Sequence, residues 1–251
     1  MHLSRLLWLS LALSLGPVGC GEDPTEPTLE DPDLTVMFVG NSLTYTNDLP
    51  GLVETVAEAA GYAVETISIA GPNYGLGDHW VTGTPRSIRE QRPDVVVFQQ
   101  GPSTLAASRA YLVEWTDSLA RVAREVGAEP ALLMVWPPDD PDYSFGAVYA
   151  SYLAAAEAVD GTFIPAGMAW VEVGKSDGTL ALYGPDGFHP GPLGSVVAAM
   201  TIVETLFEDS VRDLPPEMTP SRRNPDISMP PATLETLVGA VQRAVGRYGR
   251  R

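Results

Sequence analysis

The stretch LTVMFVGNSLTYT, residues 34–46, begins with a run of β-branched and large apolar residues at 36–39. The run has no 3.6-residue spacing, which is typical of a strand buried on both faces of a parallel sheet. A tight turn at Gly40 follows, and then a segment with helical spacing begins at about Asp48. Such a turn holds a small hydroxyl at the carboxyl edge of the sheet, where open α/β sheets bind ligands. Ser42 is therefore a candidate nucleophile, although a turn residue or a helix N-cap explains the same serine.

Four further apolar runs of strand length alternate with segments of helical spacing. The predicted strands after the first cover residues 62–69, 94–98, 131–135 and 162–165. The predicted helices run from about residue 48 to 60 and cover 112–126, 147–159, 192–207 and 234–248, whereas 72–80 is a predicted loop. This alternation predicts an α/β fold with a parallel sheet that is covered on both faces.

The first 19 residues have the pattern of an export signal: a charged start, a short apolar stretch and small residues. Cys20, the only cysteine, lies where bacterial lipoprotein signals place the lipid-modified cysteine, and the segment resembles such a lipobox. Pro17 departs from that pattern, so a signal without lipid attachment is the alternative. Residues 20–33 are acidic and rich in proline, which predicts an extended tether. We expect an exported, membrane-anchored lipoprotein, periplasmic or on the cell surface, or otherwise a secreted protein.

The remaining chain divides into a domain at 34–212 and a C-terminal part at 213–251. The C-terminal part begins with a proline-rich segment and ends in an amphipathic helix that either docks on the domain or serves a partner. The net charge of −17 argues against a nucleic acid partner, since that requires a basic face. The phosphate-binding motif G-x-x-x-x-G-K-[ST] does not occur in the sequence.

Only two histidines remain once the export signal is removed, His79 and His189. His189 follows Asp186 by three residues in the constrained loop YGPDGFHP, residues 183–190. Such a loop can set the carboxylate against one imidazole nitrogen while the other nitrogen faces a nucleophile. An exposed histidine after a Pro-Asp-Gly turn is the alternative. With so few histidines and no cysteine in the domain, we expect neither a metal site nor a cofactor.

Three blocks in order resemble those of the SGNH (GDSL-type) hydrolases: GNSLT at 40–44, SIAG at 68–71 and DGFHP at 186–190. The resemblance covers roughly residues 34–207. It implies a three-layer α/β/α sandwich, flavodoxin-like, with a mostly parallel five-stranded sheet. It also implies hydrolysis of ester bonds, often of acyl groups on carbohydrates or lipids.

Carried over residue by residue, the resemblance makes Ser42 the nucleophile, His189 the general base and Asp186 its orienting partner. It also implies an oxyanion hole that includes the backbone amides of Ser42 and Gly71.

One block departs from the family. Where the family usually has an asparagine oxyanion donor after the third strand, this chain has Gln99 and Gln100. A glutamine amide donates in the same way, so either residue is a candidate, with Gln99 slightly favoured. A hole with two donors, or a contribution from Asn73, is the alternative.

Substrate-binding candidates near this edge are His79, Trp80 and Trp136. Aromatic rings there suit a sugar or an acyl chain, but packing over the core explains them equally well. His79 is alternatively a structural histidine that donates to a carbonyl.

The sequence thus predicts a serine esterase that acts on acyl esters, chiefly acetyl esters, of carbohydrates or small molecules. An O-acyltransferase would use the same residues. A non-catalytic module that binds glycans or proteins on the same fold is the third interpretation.

Overall fold

A five-stranded parallel sheet lies at the centre of the computed structural model, which describes residues 32–221 and 224–250. Its strands are β1 (Leu34–Gly40), β2 (Val64–Ala70), β3 (Val95–Phe98), β4 (Glu129–Leu133) and β5 (Thr162–Ile164). They lie in the order β2-β1-β3-β4-β5, and every neighbouring pair is parallel. The predicted α/β fold with a mostly parallel five-stranded sheet is confirmed.

Helices cover both faces of this sheet. They are α1 (Ser42–Tyr45), α2 (Leu49–Ala59), α3 (Leu76–Thr82), α4 (Thr84–Gln91), α5 (Ala106–Glu125), α6 (Phe145–Ala158), α7 (Ala166–Ser176), α8 (Pro192–Leu206) and α9 (Pro231–Tyr248). The chain crosses from β1 to β2 in one direction and from β2 through β5 in the other. Because such crossovers are right-handed, α2 lies on one face and α3 to α6 lie on the other. Helices α7, α8 and α9 complete the face of α2.

The central strands explain why the apolar runs in the sequence do not alternate with polar residues. All four residues of β3 and residues 36–39 of β1 are buried, because helices cover both faces of these strands. Side chains on both faces therefore contribute to the core, as parallel sheets require.

Helix α3 replaces part of the predicted loop at 72–80, and helices α4 and α7 were not predicted either. Helix α3 begins where Asp78 accepts a hydrogen bond from the Gly75 amide at 2.8 Å. Helix α4 buries Thr84 and Ile88. Helices of 7 and 8 residues are too short to establish a 3.6-residue period, so their apolar residues do not stand out in a sequence window.

The C-terminal helix α9 docks on α7 and α8 and buries the fully inaccessible side chains of Leu237, Val241 and Ala244. Glu172 of α7 reinforces this contact, since it pairs with Lys175 at 2.7 Å and lies 3.5 Å from the guanidinium of Arg243. Ahead of α9, the strands β6 (Glu217–Met218) and β7 (Ile227–Ser228) form a small antiparallel pair. The C-terminal part thus packs within the same compact unit as the sheet, from Pro32 onward.

The predicted signal, Cys20 and nearly all of the tether lie outside the described residues. Among residues 32–221 and 224–250, no helix has the length and apolar character needed to cross a membrane.

Candidate active site

The site lies at the carboxyl ends of β1 and β3, where the strand order reverses. Ser42 comes directly after β1 and Asn41, and Gln99 comes directly after β3. In open α/β sheets this switch point forms a crevice, because the connections leave the two strands in opposite directions. The apolar strand at 36–39 thus delivers the candidate nucleophile to the place where ligands bind.

A network of short-range contacts shapes the turn that carries Ser42. The Asn41 side chain caps helix α1 by accepting from the Leu43 amide at 3.1 Å, and its Nδ2 donates to the Tyr74 carbonyl at 3.0 Å. A Cβ atom at Gly40 would collide with the Thr44 hydroxyl and with a neighbouring amide oxygen, so only glycine fits there. The side chain of Ser42 points toward the block at 186–190, which carries His189.

His189 connects Ser42 to Asp186. Its Nε2 lies 2.9 Å from the Ser42 hydroxyl oxygen, and its Nδ1 lies 2.6 Å from Asp186 Oδ2. An ionised carboxylate only accepts hydrogen bonds, so the Nδ1 atom carries a proton and Nε2 is the acceptor for the Ser42 hydroxyl. Sequence reasoning selected these three residues, and the structure brings them together.

The loop at 183–190 is held closed around the histidine. Asp186 Oδ1 accepts from the backbone amides of Phe188 at 3.0 Å and His189 at 2.9 Å. The Gly184 amide donates to the His189 carbonyl at 2.8 Å, and Gly187 supplies a left-handed turn with φ of +67°. These bonds fix the imidazole before any substrate arrives, which is what a preorganised base requires.

The same bonds make Asp186 a strong acid. The His189 side chain is the largest cause, and the Phe188 and His189 amides add to it, lowering the pKa of the Asp186 carboxyl to about 2. Asp186 is therefore ionised at any pH at which the protein would work, and it accepts the Nδ1 proton of His189 throughout.

The Ser42 amide, at the first position of α1, donates no hydrogen bond to the described residues, which leaves it available as an oxyanion donor. Gly71 does not meet the same expectation. Its amide donates to the Gly40 carbonyl at 3.2 Å and extends the β1–β2 ladder. The glycine is explained by packing instead, because a Cβ atom at Gly71 would lie 2.7 Å from the Tyr74 ring.

The prediction that Gln99 is an oxyanion donor is wrong for this geometry. Gln99 is 1% exposed, and its Nε2 donates to Asn41 Oδ1 and to the Gln100 carbonyl. Its Oε1 accepts from the Asn41 amide at 2.9 Å and from the Thr44 hydroxyl at 2.8 Å. The extra methylene turns the amide back under the nucleophile turn, so Gln99 builds that turn instead of facing a substrate.

The side-chain amide of Gln100 is also used in part by hydrogen bonds within the protein. One amide hydrogen bonds the Ser103 hydroxyl at 2.8 Å, and Oε1 accepts from the Leu76 amide at 3.1 Å. Gln100 nevertheless lines a cavity of about 290 Å³ together with Ser42 and Asn73. Asn73 is exposed there and has a left-handed backbone, with φ of +61°. Asn73 thus brings an amide to the Ser42 cavity from the loop after β2.

No family model matches the chain, and no curated protein matches it. Solved structures do. A protein from Slackia heliotrinireducens described as an SGNH hydrolase has a TM-score of 0.57 at 24% identity, covering 69% of this chain and 98% of that chain. A DUF4886 family protein from Bacteroides uniformis has a TM-score of 0.70 at 16% identity, covering 85% and 95%. A catalytic mutant of Axe2, an acetylxylan esterase from Geobacillus stearothermophilus, has a TM-score of 0.55 at 16% identity, covering 71% and 96%.

The chain has the SGNH hydrolase fold. This identification rests on the arrangement of the sheet and helices, since the sequence identities are low.

Within this SGNH fold His79 is a structural residue, and its assignment to substrate binding is wrong. The ring is fully buried, with Nε2 2.8 Å from the Gly40 carbonyl and Nδ1 3.1 Å from the Thr84 hydroxyl. Burial is the main reason that the pKa of His79 is lowered, although the contact with Gly40 opposes the shift. The neutral ring donates to the carbonyl that precedes the nucleophile turn.

Trp136 is likewise part of the core and does not contact the cavity. It is 2% exposed, stacks on Trp170 with ring centroids 3.8 Å apart, and donates from Nε1 to the Phe188 carbonyl at 3.0 Å. Trp136 thus supports the loop that carries His189. Trp80 is 40% exposed on helix α3, outside the residues that line the Ser42 cavity.

Three aromatic residues line the Ser42 cavity, Tyr74, Tyr111 and Phe188, and none of them is among the substrate-binding candidates named above. Tyr111 lies on α5, one residue before the start of the helix predicted at 112–126. Its exposure is 37%, a value that no pattern of spacing indicates. Phe188 lies inside the third block, next to the histidine, and its ring centroid is 5.3 Å from that of His189.

Among the residues that the structure describes, no group of three or more histidine, cysteine or acidic side chains is arranged to hold a metal ion. In the acidic turn at 139–142, Asp140 Oδ1 accepts a hydrogen bond from the Asp142 amide at 2.9 Å.

Proposed function

We propose that this protein is a serine esterase that removes acyl groups, chiefly acetyl groups, from carbohydrate or small-molecule esters. The observation that carries the proposal is the hydrogen-bonded line from Ser42 Oγ through His189 to Asp186 at the mouth of a cavity. A hydroxyl within hydrogen-bond reach of an oriented imidazole is the arrangement that activates a serine nucleophile.

In the first half of the reaction, Ser42 Oγ attacks the ester carbonyl while His189 Nε2 takes the hydroxyl proton. The Asp186 carboxylate stabilises the imidazolium that forms, because it stays ionised and accepts from Nδ1. The tetrahedral intermediate then expels the alcohol, which leaves with the proton from His189. The acyl group remains on Ser42.

The oxyanion of the intermediate needs donors, and two are free to provide them. The Ser42 backbone amide has no other acceptor among the described residues, and the Asn73 side chain lines the same cavity. A donor of this kind contributes roughly 10²–10³-fold to the rate.

Exposure of the site supports hydrolysis over acyl transfer. The side chains of His189 and Asp186 are 35% and 52% exposed, so water reaches the base that activates it. Water attacks the acyl-enzyme, His189 takes its proton, and the acid is released. A transferase acting by the same residues has to keep water away from this intermediate.

The acetyl preference has two supports. The Ser42 cavity, about 290 Å³, has room for a small acyl group beside the rings of Tyr111 and Phe188. In addition, Axe2, a protein of the same fold, is an acetylxylan esterase. The export signal, Cys20 and the acidic tether support a location at the bacterial membrane surface, where a tethered enzyme meets sugar esters.

The test is hydrolysis of p-nitrophenyl acetate by the full chain, together with Ser42→Ala, His189→Ala and the control Ser108→Ala. Ser108 lines the same cavity, but its hydroxyl bonds the Leu105 carbonyl at 3.0 Å and does not contact the imidazole. We expect Ser42→Ala and His189→Ala to lose turnover, and Ser108→Ala to retain it.

A fluorophosphonate probe gives a second readout that does not depend on substrate choice. It should label the wild type at Ser42, as located by peptide mass spectrometry, and leave Ser42→Ala unlabelled. Absence of both turnover and labelling would contradict the esterase and favour a binding module on the same fold.

A further inference from the structure

Three aromatic side chains form a strip that leads away from the Ser42 cavity. Tyr111 lines the cavity, Trp115 follows one turn later on the same helix, and Trp80 reaches it from α3. The ring centroids of Tyr111 and Trp115 are 6.1 Å apart, and those of Trp115 and Trp80 are 5.9 Å apart. We call these three residues the aromatic strip.

The packing of α3 against α5 builds this strip. Gly77 of α3 lies directly against the rings, because a Cβ atom there would collide with the Tyr111 hydroxyl and lie 2.8 Å from Trp115 Nε1. Tyr111 and Trp115 are four residues apart on α5 and therefore share one face of it. Even so, Tyr111 and Trp80 keep exposures of 37% and 40%.

Carboxylates stand beside the rings. Asp78 and Glu114 are both exposed, and both act electrostatically on the Tyr111 hydroxyl. Asp78 is held in place, since it accepts from the Gly75 amide at 2.8 Å. The pKa of Tyr111 is raised, first by partial burial and then by these two negative charges.

We propose that the aromatic strip binds the neutral sugar chain that carries the ester, a subsite beyond the Ser42 cavity. Aromatic faces pack on the apolar C–H faces of sugar rings, and carboxylates accept hydrogen bonds from sugar hydroxyls. The inference rests on the proposed function and extends it, because it identifies the substrate as an oligosaccharide or polysaccharide instead of a small ester.

The charges beside the strip argue against the other substrate classes. An acyl chain lying across the rings would desolvate Asp78 and Glu114 without offering them a hydrogen bond, which is costly. An anionic polymer would meet these carboxylates on a chain whose net charge is −17. A neutral glycan has neither disadvantage.

Binding is tested first, without catalysis. Titration calorimetry with Ser42→Ala uses unsubstituted xylohexaose, cellohexaose and mannohexaose, and at least one should bind. Adding Trp80→Ala should weaken that binding about tenfold, which is the effect of losing roughly 1.4 kcal/mol of ring contact. Tyr143→Ala is the matched control, because Tyr143 is 45% exposed but lies outside the strip.

The second test compares substrates of different length. Trp80→Ala should lower kcat/KM on acetylated xylo-oligosaccharides about tenfold more than on p-nitrophenyl acetate, mainly through KM. Tyr143→Ala should leave the ratio of the two kcat/KM values unchanged.

Hydrolysis of p-nitrophenyl octanoate, an ester with a long acyl chain, is measured beside these substrates. Three results would overturn the proposal. None of the hexasaccharides binds at 10 mM, Trp80→Ala binds them as tightly as the parent, or Trp80→Ala lowers kcat/KM only on p-nitrophenyl octanoate. The last result would assign the strip to an acyl chain. Because the calorimetry uses Ser42→Ala, it judges the strip even if the wild type fails to hydrolyse any ester, and that failure would count against the esterase alone.

Discussion

The side chain of Asn47 donates from Nδ2 to the carbonyl of Pro190 at 2.9 Å and to the Ser195 hydroxyl at 3.0 Å. It therefore ties the segment after Ser42 to the segment after His189, across a sequence separation of 143 residues. Asn47 has a left-handed backbone, with φ of +56°, which asparagine tolerates better than most residues. The segments that carry the nucleophile and the base are thus joined by a side chain that belongs to neither.

We predict that Asn47→Ala lowers kcat by about 10–100-fold, because a small displacement of a catalytic group has effects of this size. Since KM depends on the cavity and not on this tie, it should change much less. Asn47→Gly is the control for backbone strain, because glycine accepts the left-handed conformation but cannot donate. Steady-state kinetics on p-nitrophenyl acetate decide it. If both variants match the wild type in kcat, Asn47 does not position the pair.

Gln99 offers a different prediction because its whole amide is used below the nucleophile turn. Gln99→Leu leaves the Asn41 amide and the Thr44 hydroxyl without their buried acceptor, at a cost of about 1–3 kcal/mol for each group left unpaired. We expect the free energy of unfolding and kcat to fall together. Urea denaturation beside kinetics measures both, and a variant that lost activity at wild-type stability would return Gln99 to the role of oxyanion donor.

Asn73 should behave in the opposite way. It is exposed, so removing its amide costs little stability, but loss of an oxyanion donor lowers kcat roughly 10²–10³-fold. Asn73→Gly is the appropriate variant, because the backbone φ of +61° suits glycine. Asn73→Asp should be slower still, because a carboxylate repels the oxyanion. If both variants turn over within a few-fold of the wild type, Asn73 is not an oxyanion donor, and another group must assist the Ser42 amide.

The sequence was informative about the sheet and the triad for a physical reason. Buried parallel strands such as 36–39 leave an unmistakable apolar run, and a small hydroxyl just after it has few other places to lie. The loop at 183–190 has glycine, proline and aspartate at positions that close a turn, so the approach of Asp186 to His189 follows from local chemistry. These features depend on near neighbours along the chain.

The oxyanion donors and the wall of the cavity depend on distant neighbours, and there the sequence was misleading. Whether the Gln99 amide faces a substrate or Asn41 is decided by one methylene and by what lies across the turn. His79 and Trp136 were misassigned for a similar reason. Residue type does not reveal whether a side chain near a loop is buried or faces the cavity. Tyr111 lies just before the helix predicted at 112–126, so no predicted pattern indicated that its exposed ring lines the cavity.

The proposed anchor gives a prediction for the part of the chain outside the described residues. Cys20→Ala should move the protein from the membrane fraction to the soluble fraction of cells that express the full chain, because the anchor requires the thiol. Mass spectrometry of the N-terminal peptide should show the lipid in the wild type only. Wild-type protein that is already soluble, with an unmodified Cys20, would favour a secreted form.

His79 gives the last prediction, a dependence of stability on pH. Its pKa in the folded state is lowered from the usual value of about 6.5, so below that pH the unfolded chain binds a proton that the folded chain does not. Stability therefore falls as the pH decreases from 6.5. We expect the wild type to lose more stability than His79→Gln between pH 7.5 and 5.5, as measured by urea denaturation. Glutamine is the suitable replacement, because its amide can still donate to the Gly40 carbonyl but does not titrate. Equal losses in the two proteins would mean that the folded protein protonates His79 as readily as the unfolded chain does. That result would contradict the assignment of His79 as a neutral ring that donates to the Gly40 carbonyl.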